Sequence, residues 1–317
     1  MNFQDSLYIL YLCCHWRADN PKAMLDSIAP QVTHMNGWLS GFLGILIFSG
    51  SLPATRVAVL SFDPIFLTLA RASIAGLLAA AILLLLRQPR PRRRDLLPLL
   101  VTAGGVVLGF PLLTALALRQ VSSAHAIVFV GLLPLATALF GVLRAGERPH
   151  PAFWVFAVLG SASVAAYALA QGGAASLVGD LLMLAAILAC GLGYAEGARL
   201  SRHLGSWQVI CWVLVLSLPA MLPLMLWTWP GDVLAAGWPA LLSLGYVSLF
   251  SMLIGFFFWY HGLARGGIAA VGQLQLLQPF FGLALAALLL HESVSPLMFG
   301  AALAVVGCVA GARRFAR

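Results

Sequence analysis

Residues 278–307 read QPFFGLALAALLLHESVSPLMFGAALAVVG, two apolar helices joined by a short His-Glu-Ser loop. Their weight comes from a second copy. A shift of 145 residues lays Leu118, Ala124, Leu132, Pro134, Glu147 and Pro151 on Leu263, Ala269, Leu277, Pro279, Glu292 and Pro296. It preserves a proline inside an apolar helix, a glutamate thirteen residues later at the helix end, and a proline opening the next helix. An internal repeat constrains the architecture before any other feature does.

Composition sets the class. Of 317 residues, 62% are hydrophobic and 9% charged, against about 25% charged in a soluble domain. This is an integral all-α membrane protein. A spanning helix needs about 20 apolar residues, so the chain holds about ten spans and leaves no room for a soluble domain. The net charge of +8 comes from 17 Arg and one Lys. Basic loops are held on the cytoplasmic side of a membrane, so this charge implies no nucleic-acid partner. Cys13, Cys14, Cys190, Cys211 and Cys308 lack metal-ligand spacing and read as small packing residues. No metal or cofactor is implied.

Apolar run length and breaks at Pro, Gly and charge predict spans 1 to 5 at 37–58, 64–86, 96–118, 123–143 and 151–170. Spans 6 to 10 follow at 178–199, 206–228, 238–262, 268–289 and 296–312. Residues 1–35 mix Asp5, Arg17, Asp19, Lys22 and Asp26 with an apolar run too short to span. No signal peptide fits, because Asp5 stands where a basic region belongs. The segment reads as a disordered cytoplasmic tail, or as an artefact of start-site choice that leaves Met35 as the natural beginning.

With the N-terminus inside, the cytoplasmic loops and C-terminus carry thirteen arginines: Arg87, Arg90, Arg92, Arg93, Arg94, Arg144, Arg148, Arg199, Arg202, Arg265, Arg313, Arg314 and Arg317. The other side carries two, Arg56 and Arg119. That asymmetry predicts both termini in the cytoplasm. Each half holds five spans, an odd number, so residues 36–172 and 173–317 are predicted to be inverted repeats. Inverted repeats suit alternating access, since one packing can open to either side. Pro134 and Pro279, each expected inside a span, read either as hinges or as static bends.

The pattern resembles the drug/metabolite transporter superfamily, in particular its EamA-type ten-helix exporters. The resemblance covers Trp38 to Arg314 and rests on SGSLPATRVAVLSFDPIFLTLARASIAG at 49–76, on Leu132 to Glu147, and on Pro279 to Glu292 to Gly300. Arg56 stands where such proteins often have Lys, and His291 where Gly commonly precedes the Glu. The resemblance implies a carrier of the cytoplasmic (inner) membrane that exports small metabolites, with aromatic or other hydrophobic amino acids as one cargo class. An ion or small-solute channel is the rival reading, since Gln and His could line a pore. An enzyme is disfavoured because no GxSxG or HExxH occurs.

Polar groups inside spans are costly and so mark candidate sites. Gln275 and Gln278 share a face beside Pro279, reading as interhelical glue or as a cavity wall. His125 and Phe129 lie one turn apart in the repeat-equivalent span 4. With Phe110, Tyr194, Tyr246 and Phe250 as apolar walls, these residues are expected to hold a hydrophobic cargo at midplane by hydrogen bonds rather than by a fixed charge. Arg71 stands second, as a partner for Asp63, a receiver of a carboxylate, or a snorkelling anchor. Glu196 and Arg199 read as a structural pair. Gly37, Gly41 and Gly44, and Gly191, Gly193 and Gly197, supply faces for close helix approach. A small-molecule substrate and the bilayer are the partners, and monomer and homodimer both remain open.

Overall fold

Short polar residues ahead of apolar runs start the helices. In the computed structural model, which describes residues 36–117, 120, 121, 129–170, 176–231, 233–290 and 296–316, every regular element is helical among the described residues. The expected tail at 1–35, His125 and Glu292 lie outside them. α1 (Gly37–Ser49) begins at Asn36, whose side chain accepts the Trp38 N–H, and Gly50 leads it into α2 (Ser51–Ala58). α3 (Pro64–Leu85) is capped by Asp63, which accepts the Ile65 and Phe66 amides. Pro64 occupies the first turn, where a missing N–H costs nothing.

The third run is not one continuous α-helix. α4 (Arg93–Thr102) passes through a π-helical stretch, Ala103–Gly109, into α5 (Phe110–Ala117). The same device recurs where α10 (Gly237–Tyr246) passes through Val247–Ile254 into α11 (Gly255–Gly266). A hydroxyl turns back on its own helix at each place, as at Ser49, Thr68 and Thr137 elsewhere: Thr102 Oγ1 donates to Pro98 O at 2.9 Å, and Ser248 Oγ to Leu244 O at 2.6 Å. Such bonds compete with the α ladder, and π insertions favour functional sites.

Between these runs lie α6 (Leu133–Ala145), α7 (Pro151–Ala170), α8 (Leu177–Leu204) and α9 (Ser206–Trp227). After them come α12 (Ile268–Gly272), a 3-10 stretch at Gln273–Leu277, α13 (Gln278–Leu290) and α14 (Pro296–Arg314). Pro134 follows a turn and so differs from the expectation of a proline within a helix, whereas Pro279 lies inside a continuous helical run over 268–290, where 3-10 gives way to α. Each is the second residue of its helix, α6 and α13, and those two helices start 145 residues apart and have 13 residues each. At that position a proline interrupts no bond of its helix; before Pro134 the break is a turn, and before Pro279 it is the change from 3-10 to α.

Six helical runs among the described residues are long and apolar enough to cross a membrane: Gly37–Thr55, Pro64–Leu85, Arg93–Ala117, Leu177–Leu204, Ser206–Trp227 and Gly237–Gly266. Leu133–Ala145 and Pro151–Tyr167 are shorter apolar helices. Leu84, Trp227 and Trp238 are exposed, so apolar surface faces outward as well as inward.

The principal pairings are α3 with α9, α1 with α11, α7 with α14, and α8 with α6, α5 and the first π stretch. Glycine sets two of these distances. A Cβ on Gly262 of α11 would lie 2.6 Å from the Gly41 Cα of α1, and one on Gly105 would lie 2.4 Å from Ala189 O of α8. The small-residue faces read from the sequence are thus where backbones meet. Packing at such contacts is a main source of association between apolar helices, because lipid removes the hydrophobic drive.

Candidate substrate site

α8 is the post around which the site is built. Gly193 and Gly197 let α4, the first π stretch and α11 approach closely, leaving Tyr194 facing an aromatic group. Its ring lies 5.5 Å from Trp259 and 6.1 Å from Phe256, and Phe48 of α1 closes the group at 5.1 Å from Phe256 and 6.3 Å from Trp259. These edge-on arrangements suit aromatic quadrupoles. The wall so formed is largely apolar and buried.

Against it stands a set of polar atoms without partners. The 3-10 stretch before α13 buries Gln273 and Gln275, and neither amide oxygen nor amide nitrogen of either finds a hydrogen-bond partner among the described residues. The Tyr194 hydroxyl lies beside the Gln275 amide and the Cys190 thiol. Trp259 Nε1 is buried and unpartnered as well. Buried polar groups are nearly always bonded, and each orphan costs about 1–3 kcal/mol. Trp259 Nε1 and the Gln275 amide, both near Tyr194, are therefore open to a ligand or an ordered water.

Arg71, placed second by the sequence reading, reaches the π stretch that leads into the helix bearing this wall. Its Nη2 donates to Ser251 Oγ at 3.1 Å, on the second π stretch, and Ser51 Oγ donates to the same oxygen at 2.8 Å. Asp63, considered as a partner, instead spends Oδ1 on the Ile65 and Phe66 amides at the helix start. The residues expected to hold a cargo carry no fixed charge; a guanidinium bonds the π stretch that leads into the helix bearing the aromatic wall. Ser51 and Ser251 were not legible in advance, being 200 residues apart with nothing in either neighbourhood to mark them.

The other expected residues divide. Tyr246 donates to Ile47 O at 2.7 Å and stacks on Phe250 at 5.4 Å, one position before Ser251. Gln278 donates to Phe48 O at 3.5 Å, which ties it to the aromatic wall. Phe110 packs on the main core, and Phe129 lies between that core and the smaller group of Ala117, Val121 and Met183. An open depression of about 320 Å³, lined by Ser61, Phe62, Pro230, Ala235 and Ala236, lies beside the start of α3 and includes none of these side chains.

One end of the bundle is tied by carboxylates. Glu196, fully buried on α8, takes Arg199 at 2.6 Å and Arg144 of α6 at 3.1 Å. Glu147 accepts the Ile268 and Ala269 amides at 2.8 Å each and Arg202 at 3.0 Å. It caps α12, where aligned backbone N–H groups favour an anion. His203 Nε2 lies 3.2 Å from Asp95. Only the Glu196–Arg199 pair was read from spacing; the others join residues 52 to 122 positions apart.

With this geometry in place, comparison with known proteins is decisive on class. The EamA-like transporter family matches twice, at residues 35–169 and 177–311. The chain belongs to that family. This transporter is 68% identical over 282 residues to YdeK of Bacillus subtilis (strain 168), described as an uncharacterized transporter, covering 89% of this chain and 98% of that one. It is 27% identical over 278 residues to a protein of Streptantibioticus cattleyicolor described as a "probable terminal-alkyne amino-acid exporter", covering 86% and 92%. A solved crystal structure shares the fold with a TM-score of 0.74 at 23% identity, over 87% of this transporter and 97% of its own chain. The transporter is a multi-pass protein of the cell membrane.

Proposed function

We propose that this transporter exports small hydrophobic amino acids by alternating access, with ten spans arranged as two inverted five-span repeats and both termini cytoplasmic. The observation that carries the cargo is the apposition of the aromatic wall, Tyr194, Phe256, Trp259 and Phe48, with the unpartnered Gln275 amide. An apolar side chain fits the one and a polar backbone end the other. The amino-acid exporter relative points the same way.

The helix pairings support the symmetry. Counting α1–α2 as span 1 and proceeding in order, span 2 packs on span 7 and span 5 on span 10, while span 1 on span 8 answers span 6 on span 3. Exchanging the halves maps each pairing onto itself or another, as a two-fold relation requires. Carriers of this plan bind cargo between the repeats, where helices are interrupted; here the interruptions are the π stretches and the 3-10 turn.

Purified transporter in vesicles is expected to show saturable counterflow of labelled phenylalanine or leucine. Conducted current without counterflow would instead identify the channel. Topology has its own test. A cysteine placed at Arg92 should resist an impermeant thiol reagent applied to intact cells and react once the cells are opened, because the arginine-rich loops lie inside. Labelling from outside would overturn the orientation.

A further inference from the structure

We propose that Arg71 is the anchor for the cargo carboxylate, so that this transporter selects acids over amines of the same shape. The inference rests on the exporter reading and names the substrate class more narrowly. It begins with the acidic groups. Asp95 faces His203, Glu147 faces Arg202, and Glu196 faces Arg144 and Arg199. Arg71 forms no ion pair among the described residues, although it lies seven residues beyond Pro64, about 10 Å into its helix at 1.5 Å per residue.

A cation at such depth calls for a counter-charge or escape to the interface. Escape is not what the side chain does. Nη2 reaches across to Ser251 on another helix, and Nε is shut off from solvent with no partner. Ser251 offers a neutral oxygen already shared with Ser51. The residue as a whole retains partial exposure. A planar guanidinium with a free donor matches a carboxylate, which takes two parallel N–H bonds. Beyond it, the buried Gln275 amide, whose oxygen has no partner, can accept an ammonium, and Trp259, Phe256 and Phe48 meet an apolar side chain. A zwitterion with a hydrophobic tail offers a partner to each of the three groups.

The test uses phenylalanine, 3-phenylpropionate, which keeps only the acid, and 2-phenylethylamine, which keeps only the amine. Each is titrated against the purified full chain by thermal stabilisation and as a competitor in counterflow. Phenylalanine and phenylpropionate should bind, and phenylethylamine at least about tenfold more weakly, the worth of a hydrogen bond to a charged group. Arg71→Gln should abolish that preference by weakening the acids, and Arg71→Lys should fall between, since it keeps the charge and loses the fork. Equal binding of acid and amine to the unmodified protein, stabilisation by none of the three, or a preference that survives Arg71→Gln overturns the anchor. If Arg71→Gln does not fold, the acid-against-amine comparison on the unmodified protein decides. Counterflow with acid and amine competing equally sinks the anchor and spares the exporter. Arg71-dependent acid binding without transport does the reverse.

Discussion

Replacing Arg144 and Arg199 together by alanine is expected to destabilise the transporter by about 3–5 kcal/mol, the usual cost of stranding a buried charge. The direction follows from which partner can return to water. Side-chain exposure is 47% for Arg144 and 39% for Arg199 but 0% for Glu196, so the arginines can be rehydrated and the glutamate cannot. Glu196→Leu alone should therefore cost less than the double replacement. Adding Glu196→Leu to the double variant should recover most of the loss, because an apolar residue of similar size often substitutes for a buried ionic group at little cost. Unfolding temperature in detergent reads all three. A double variant as stable as the unmodified protein would mean that water reaches Glu196 from the bundle end.

Glu147→Ala should have the second large effect. One carboxylate satisfies two backbone amides at the start of α12 and Arg202 of α8, and it is held there by Gly146, whose φ of 68° closes α6. Bonds to a charged group contribute about 1.5–3 kcal/mol each, though not additively, so a loss of about 3 kcal/mol is reasonable. Transport should suffer as well as stability, since α12 leads directly into the 3-10 stretch that carries Gln273 and Gln275. Counterflow should fall by about tenfold or more, as one unit of 1.4 kcal/mol in the occupancy of the competent state is tenfold. Glu147→Gln keeps one acceptor and should retain more activity than alanine. If the alanine variant transports normally, the capped start of α12 has no part in the cycle.

The contrast between these sites explains what could be read beforehand. Glu196 and Arg199 are three residues apart on one helix, so their pairing follows from helical geometry. Arg144 reaches the same carboxylate from 52 residues away, and nothing in its neighbourhood announces it. The Arg71–Ser251 bond spans 180 positions. Tyr194, Gln275 and Gln278 were legible as polar or amphipathic residues inside apolar runs; that Tyr194 meets Trp259 while Phe110 and Phe129 pack elsewhere was not.

From its sequence alone the chain is committed to the membrane, to helices and to a pattern repeated at 145 residues, because partition into lipid is a sum over local composition and capping is a matter of neighbouring residues. Which helix faces meet is decided only in the tertiary structure. A water-soluble helix advertises its buried side by an apolar stripe, whereas one surrounded by lipid is apolar all round. The inward face of α3, with Arg71 turned to Ser251, and the π and 3-10 departures that carry Ser251 and Gln275, therefore depend on close packing between segments far apart in the chain.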